Sequence, residues 1–353
     1  MAGNSFGQIF RITTFGESHG KGIGVVIDGC PPLFALGSED FARDMARRRP
    51  GRHAGDSPRK EKDAVEILSG VFEGKTTGAP IALFIKNIDV DSRPYEIIRE
   101  LFRPGHADYT YYRKYGHFDF RGGGRSSARE TAARVAAGVV AKKIIEPLGI
   151  KTIAYTLELG GIRAKDIRLM EIENNPLCCP DPVAARRMEE ALSRARESGD
   201  SLGGIVEVRV TGCTPGLGEP VFDKLDADIA KAVMSVGAVK GVEIGAGFES
   251  ARLRGSSNND PIDPEGFRTN RAGGILGGIS NGEEIVVRAA IKPIPSISIE
   301  QDTIDRSGRP AKLRLSGRFD ASAVPRIVPV LEAMVSIVIT DHYLRAKAMK
   351  SSE

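Results

Sequence analysis

Two histidines sit in glycine-flanked turns. His19 lies in Gly16-Glu17-Ser18-His19-Gly20, and His106 in Arg103-Pro104-Gly105-His106-Ala107-Asp108. An imidazole so placed has little to pack against, and near neutral pH it can take or give a proton. For His19 the residue pattern leaves two readings level, a solvated loop histidine and a catalytic one. A third feature is the run Arg47-Arg48-Arg49-Pro50-Gly51, followed by Arg52, His53, Arg59 and Lys60. One cation at a helix C-terminus is stabilising in itself. Three in a row before a Pro-Gly turn exceed that need and point to phosphate or carboxylate, which arginine binds bidentately.

The fourth feature organises the rest. Arg121–Thr131 reads Arg-Gly-Gly-Gly-Arg-Ser-Ser-Ala-Arg-Glu-Thr. Gly122, Gly123 and Gly124 can take positive φ and let another group approach the backbone. Ser127 and Glu130 have capping-box spacing, and Ala132, Val135, Ala136, Val139 and Val140 give the following helix an apolar face. Its N-terminus, with Arg121, Arg125, Arg129 and Arg134 around it, reads as a cradle for an anionic small molecule or cofactor. Tyr109, Tyr111 and Tyr112 are available to stack on a planar ring or to pack. The inventory suits a substrate with several negative charges and a leaving group that needs a proton. It does not name the reaction.

The elements that must position these residues follow from the pattern. Strands are expected at Gln8–Thr13, Ile23–Asp28, Val65–Leu68, Ile81–Ile85, Ile150–Leu159, Val206–Val210, Val239–Ile244 and Glu284–Ile291. Glu207 and Arg209, alternating with valines, predict one wet face for their strand. Ser38 should cap a helix running to the three arginines. Asp181–Glu197 predicts an amphipathic helix, and Leu225–Val236 another. Val324–Ala346 is apolar on all sides between Ile327 and Ile339 and should be buried. Residues 255–283 form a long glycine-rich loop whose apolar residues argue against disorder.

The chain has 353 residues, a formal net charge of +4 and 41% hydrophobic residues. That is globular composition, and 50 basic residues against 46 acidic ones lack the sustained excess of a nucleic-acid binder. Four cysteines, Cys30, Cys178, Cys179 and Cys213, show no Cys-x-x-Cys spacing, which argues for a reducing compartment. There is no metal-ligand cluster, no Walker lysine and no Gly-x-Gly-x-x-Gly after a first strand. No leader pattern is apparent and Ile327–Ile339 is too short to span a bilayer. A cytoplasmic protein with no nucleic-acid or membrane partner is expected.

Four motifs in order resemble the chorismate synthase family: Gly16–Gly20 with Val25-Val26-Ile27-Asp28-Gly29-Cys30-Pro31, Arg103–Asp108, Gly124–Thr131, and Arg318-Phe319-Asp320. The resemblance runs from Gly3 to about Arg345. It implies an α+β fold, a β-α-β sandwich with helices packed between antiparallel sheets, as a single domain over 1–353 with a short disordered tail from about 346. It implies a homotetramer. It also implies a lyase that eliminates phosphate from 5-enolpyruvylshikimate 3-phosphate to give chorismate, with reduced FMN and no net redox change, and with NADPH as a source of reductant.

By the same resemblance His19 is the general acid toward the phosphate, His106 lies near the reduced flavin, and Asp320 lies near flavin N5 and assists proton removal. Arg48 and Arg49 bind substrate, Arg48 being also associated with NADPH. Arg125, Ser126, Ser127, Gly237, Ala238, Gly277, Gly278, Lys292, Pro293, Ile294, Pro295, Ser296 and Arg318 match FMN segments. The residues themselves leave Asp320 open between a cap for the last helix and a flavin-facing carboxylate. Two departures from the family pattern stand out. His53-Ala54 occupies a place where Ser-Arg is usual, with Arg52 or Arg59 as replacements. Ala321 follows Asp320, where proline, serine or valine is commoner. The competing class is a non-catalytic binder of polyanions or RNA that uses the arginine loops.

Overall fold

The computed structural model describes residues 3–51, 62–89, 93–317 and 319–349. Two five-stranded antiparallel sheets enclose a helical layer. The first has the order Ser5–Phe6, Arg11–Gly16, Gly22–Asp28, Ile81–Lys86, Val65–Ile67. The second has the order Val239–Ile244, Ile285–Ile291, Gly204–Thr211, Lys151–Leu159, Ile162–Arg163. Apolar residues meet across each ladder, as in Val25 opposite Leu83 and Val208 opposite Val287. The helices are α1 (Ala42–Arg48), α2 (Asp108–Tyr115), α3 (Thr131–Ile145), α4 (Pro182–Glu197), α5 (Leu225–Met234), the single turn α6 (Gly255–Asn258) and α7 (Val324–Met349). α3 lies against the first sheet, α7 against the second, and the two pack on each other. This is the expected α+β sandwich.

The close packing of α3 and α7 depends on small residues. A Cβ on Gly138 would stand 2.3 Å from Cβ of Ala333. The single apolar face expected for α3 is a correction: Ala132, Ala133, Ala136, Ala137 and Ala141 are all fully buried beside its valines. Alanines do not mark a face by periodicity, so only contacts reveal that α3 is enclosed. α7 is buried around its whole circumference between Ile327 and Ile339, as expected. It is long and apolar enough to cross a membrane, but 94% of its apolar stretch is buried in the core. It runs to Met349, past the expected end near Ala346.

Several element boundaries moved for identifiable reasons. The first long strand begins at Arg11 because the N–H groups of Gln8, Ile9 and Phe10 donate to the Asp341 carboxylate at 3.1, 2.7 and 2.9 Å. Those groups are therefore absent from the ladder. The helix before the arginine run starts as a 3₁₀ turn, Ser38–Phe41, with Gly37 as N-cap, and Asp40 accepts from the Gly37 N–H at 2.8 Å. Glu207 does not face water. It is buried, and its carboxylate accepts from Tyr155, Arg209 and Arg288. The region 255–283 is ordered into two small hairpins, with Asp260 accepting from the backbone N–H groups of Arg271 and Ala272. All four cysteines are free and buried.

The α3–α7 contact makes a prediction. Gly138→Ala should lower the free energy of unfolding by about 1–3 kcal/mol through overpacking, although alanine is the better helix former. Adding Ala333→Gly should restore part of the loss. Urea titrations of the single and double variants check this.

Candidate active site

The His19 loop joins two neighbouring strands of the first sheet. Asn87, just past the Ile81–Lys86 strand, donates its amide to the carbonyls of Glu17 and Gly20, both at 2.9 Å. This fixes the loop's two ends to one side chain. Ser18 Oγ lies 3.1 Å from His19 Nδ1 and donates to the Gly122 carbonyl at 3.2 Å. The His19 ring meets the ring of Tyr95 edge-on, with centroids 5.3 Å apart. Arg103 lies over the same Tyr95 ring, so Tyr95 links the two histidine loops.

His106 is held by its own motif. Its Nδ1 is 2.7 Å from Asp108 Oδ1. Arg103 grips the same carboxylate, with Nε to Oδ2 at 2.7 Å and Nη2 to Oδ1 at 2.8 Å. Burial pushes the His106 pKa below its ordinary value, and the cations of Arg103 and Lys292 add to this against the pull of Asp108. The imidazole is therefore neutral at pH 7. Asp108, held by Arg103 and His106, is far below the usual carboxylate range.

The glycine segment threads between the two imidazoles. Gly122 has φ +63°, and a Cβ there would lie 1.9 Å from His19 Cε1. Gly123 has φ +83°, and its Cβ would lie 3.1 Å from His106 Cε1. No side chain fits at Gly122, and one at Gly123 would crowd His106. A cavity of about 600 Å³ opens beside the segment, lined by Gly123, Gly124, Arg121, Tyr111, Phe118 and Phe120 among others.

The four arginines read as charge around an anion instead build this segment. Arg121 pairs with Asp119 at 2.9 Å, and Arg134 with Glu130 at 3.0 Å. Arg125 donates to the Gly16 and Thr14 carbonyls and to Thr14 Oγ1, which ties the loop to the first sheet. Arg129 pairs with the buried Asp63. Ser126 Oγ donates to the Gly123 carbonyl at 2.7 Å. Ser127 caps the next turn by accepting from the Arg129 N–H at 3.4 Å. That turn, Ala128–Glu130, is 3₁₀, and α3 proper begins at Thr131. The capping box is thus only half formed, because Glu130 turns to Arg134.

The consecutive arginines at the end of α1 diverge. Arg47 binds Glu332 with two hydrogen bonds at 2.9 and 3.0 Å. Arg48 is fully buried and donates to Asp63 at 2.8 Å. Burial, with Arg326 and Arg129 nearby, lowers its pKa to about 10. The Nε atoms of Arg48 and Arg49 are buried with no hydrogen-bond partner among the described residues. Arg326 donates to the Arg48 carbonyl at 3.2 Å and pairs with Asp320 at 2.5 Å. The cap of α7 comes from Ser322, whose Oγ accepts from the Val324 N–H at 3.2 Å. A continuous chain of contacts runs Asp320, Arg326, Arg48, Asp63, Arg129, Asn87, and on to the His19 loop.

Lys292–Ser296 reaches the His106 loop. Lys292 donates to the Gly105 carbonyl, and Arg103 donates to Ser296 Oγ at 3.3 Å. A Cβ on Gly105 would touch Pro295 at 3.3 Å, and the Ile294 carbonyl is held by Ser201. Pro293 packs on Gly203. Ala238, next to Gly237, accepts from the Lys292 N–H at 2.9 Å. Gly277 and Gly278 form a hairpin turn in which the Gly278 carbonyl accepts from the Leu225 N–H at 2.8 Å, away from the histidine loops. Arg318, Arg52, His53, Ala54, Arg59 and Lys60 lie outside the described residues. Ala321 is buried, and its carbonyl accepts from Leu202 at 2.7 Å.

Sequence reasoning missed Asp63, Asn87, Tyr95 and Ser322. It quoted Ser18 and Asp108 inside motifs without assigning them a partner. Both adjacencies carried a usable signal, since a polar residue one or two positions from a loop histidine can reach its Nδ1. Asp63 and Asn87 carried none.

Asp63 gives a prediction. Arg48 and Arg129 hold its pKa at about 2, below that of a carboxylate in the unfolded chain. The stability it contributes is complete above about pH 4 and is lost as pH falls toward about 2. Asp63→Asn should weaken the pH dependence of unfolding in that window. At pH 7 it should cost about 3–5 kcal/mol, because two buried guanidiniums lose their counter-charge. Denaturant titrations at pH 7 and along the acid limb measure both.

Comparison with known proteins shows the family. A family model described as chorismate synthase matches residues 10–344. A chorismate synthase of Desulfatibacillum aliphaticivorans is 58% identical over 353 residues, covering 100% of this chain and 99% of its own. One from Methanosarcina mazei is 55% identical, with 98% and 97% covered. A chorismate synthase crystal structure aligns with a TM-score of 0.77 at 36% identity, over 96% of this chain and 93% of that one. The chain therefore belongs to the chorismate synthase family, lyases of the shikimate pathway to the aromatic amino acids.

Proposed function

We propose that the chain eliminates phosphate from 5-enolpyruvylshikimate 3-phosphate with reduced FMN held beside the glycine segment. The observation that carries this reading is the pair of imidazoles set against adjacent glycines, Gly122 and Gly123. The residues present fit a flavin. The cavity of about 600 Å³ has aromatic walls at Tyr111, Phe118 and Phe120 and a cation at Arg121, in the size range of cofactor sites. The Nε atoms of Arg48 and Arg49, without a partner among the described residues, suit the substrate's carboxylates and phosphate. Gly277 and Gly278, with Gly237, Ala238, Arg318 and Lys292–Ser296, complete the flavin segments by family resemblance.

Reduced flavin, when bound beside these residues, would supply electron density to the elimination without net redox change. His19 gives its proton to the departing phosphate oxygen. His106, neutral and gripped by Asp108, holds a hydrogen bond at the cofactor. Asp320, fixed by Arg326, assists removal of the ring proton. NADPH, with which family resemblance associates Arg48, would be a source of reductant. The enzyme works as a homotetramer in the cytoplasm, without nucleic-acid or membrane partners.

Under anaerobic conditions with dithionite-reduced FMN, the protein should release phosphate from this substrate. Equal turnover with oxidised FMN would overturn the cofactor assignment. His19→Ala and His106→Ala should each lower turnover by about 10²–10⁴-fold without loss of melting temperature. Asp320→Asn should slow single-turnover phosphate release by at least about tenfold.

The glycine segment supplies a matched test. Gly122→Ala and Gly308→Ala both place alanine at positive φ, at +63° and +81°, which alone should cost about 1–2 kcal/mol of stability in each. No atom of the described residues lies within 4 Å of a Cβ on Gly308. Only Gly122→Ala, which displaces His19, should lower turnover, by at least about tenfold. Equal activity in the two variants would remove the glycine segment from the argument.

A further inference from the structure

We propose that Asp108 is a positioning residue that locks His106 as the Nδ1–H tautomer, so that Nε2 is left as a proton acceptor. The argument is one of donors and acceptors. Nδ1 of His106 has two close neighbours, Asp108 Oδ1 at 2.7 Å and Arg103 Nη2 at 3.0 Å. A guanidinium only donates and a carboxylate only accepts. Without its proton, Nδ1 would set a lone pair against a carboxylate oxygen at 2.7 Å in a buried site. Arg103 Nη2 does not need the imidazole, because it already donates to Asp108 Oδ1 at 2.8 Å. The consistent assignment is Nδ1–H donating to Asp108.

The carboxylate is then fully engaged. It accepts from the Arg103 backbone N–H at 3.2 Å, from Arg103 Nε and Nη2, and from His106. Arg103 is itself anchored by Ser296 and by the face of Tyr95. Rotation of Asp108 would break several bonds at once, so the tautomer is fixed by a braced acceptor. A second proton on Nε2 is disfavoured chiefly by burial, with the cations of Arg103 and Lys292 adding to it against the pull of Asp108. Nε2 lies beside the glycine segment, 3.4 Å from where a Gly123 Cβ would stand. His106 therefore presents a lone pair to the site.

This inference rests on the reading that His106 acts in the reaction, but its test does not require turnover. The chain contains five histidines, so selective ¹⁵N-histidine labelling gives few signals, and His106→Ala identifies the one sought. At neutral pH, in ligand-free protein, the His106 spectrum should show a single ring proton, on Nδ1. In Asp108→Asn, the amide oxygen stays with Arg103 and the amide N–H faces Nδ1, so the proton should move to Nε2. Turnover of this variant should fall at least tenfold, with a changed pH profile, while Asp108→Glu retains the Nδ1–H signal. A wild-type proton on Nε2, or on both nitrogens, would overturn the proposal. So would an Asp108→Asn spectrum like the wild type. Should Asp108→Asn not fold, the wild-type spectrum alone decides. Wild-type turnover in His106→Ala would refute a role for His106 without touching the tautomer.

Discussion

One carboxylate between two buried guanidiniums sets the geometry of the site. Asp63 takes Arg48 on one oxygen and Arg129 on the other. Arg48 belongs to the end of α1, and Arg129 to the turn that leads from the glycine segment into α3. Neither cation would stay so deeply buried without a counter-charge, because desolvating an unpaired charge costs several kcal/mol. The pairing thus fixes the arginine run relative to the glycine segment. Arg129 carries the constraint on to Asn87, and Asn87 to both ends of the His19 loop. Arg48 carries it through its carbonyl to Arg326 and Asp320.

A second carboxylate plays the matching role inside the helical layer. Glu332, in the middle of α7, binds Arg47 of α1, Lys142 of α3 and the backbone N–H of Ala154 in the second sheet. Its neighbours Lys142 and Arg47 hold its pKa at about 2 against full burial. One side chain therefore ties together two helices, a strand and its own helix. Because Arg47 is anchored there, Arg48 is turned by one helical step, about 100° at 3.6 residues per turn, and meets Asp63 instead. Arg49 already lies outside the helix. Three identical residues in sequence have three different surroundings, and buried Nε atoms of Arg48 and Arg49 have no hydrogen-bond partner among the described residues.

The sequence made some of this legible and hid the rest for physical reasons. Glycine flanks pointed to His19 and His106, although both rings turn out to be packed, His19 on Tyr95 and His106 against Asp108. An unbroken apolar run exposed α7. The enclosure of α3 was hidden because alanine and glycine give no periodic contrast. Glu207 looked solvent-facing because alternation reports two faces of a strand and not what covers the outer one. Tyr155 and two arginines cover it. The layered architecture came from the motif resemblance, since strand patterns alone permit many sandwiches. Asp63 and Asn87 are isolated in sequence and act over 66 and 70 residues, a range no local pattern reaches.

The two histidines differ in one respect that bears on how labour is divided between them. Each has its Nδ1 beside an oxygen, a hydroxyl for His19 and a carboxylate for His106. A hydroxyl both donates and accepts. Ser18 can therefore follow a change of tautomer at His19, turning its own proton toward the ring or toward the Gly122 carbonyl. Asp108 has no such freedom, because Arg103 fills its remaining lone pairs. A group that must release a proton and later regain one is better served by the adaptable partner. A group that must hold a constant hydrogen-bonding face is better served by the fixed one. On this physical ground we propose His19 as the proton donor and His106 as the constant acceptor, with the glycine segment packed against both imidazoles.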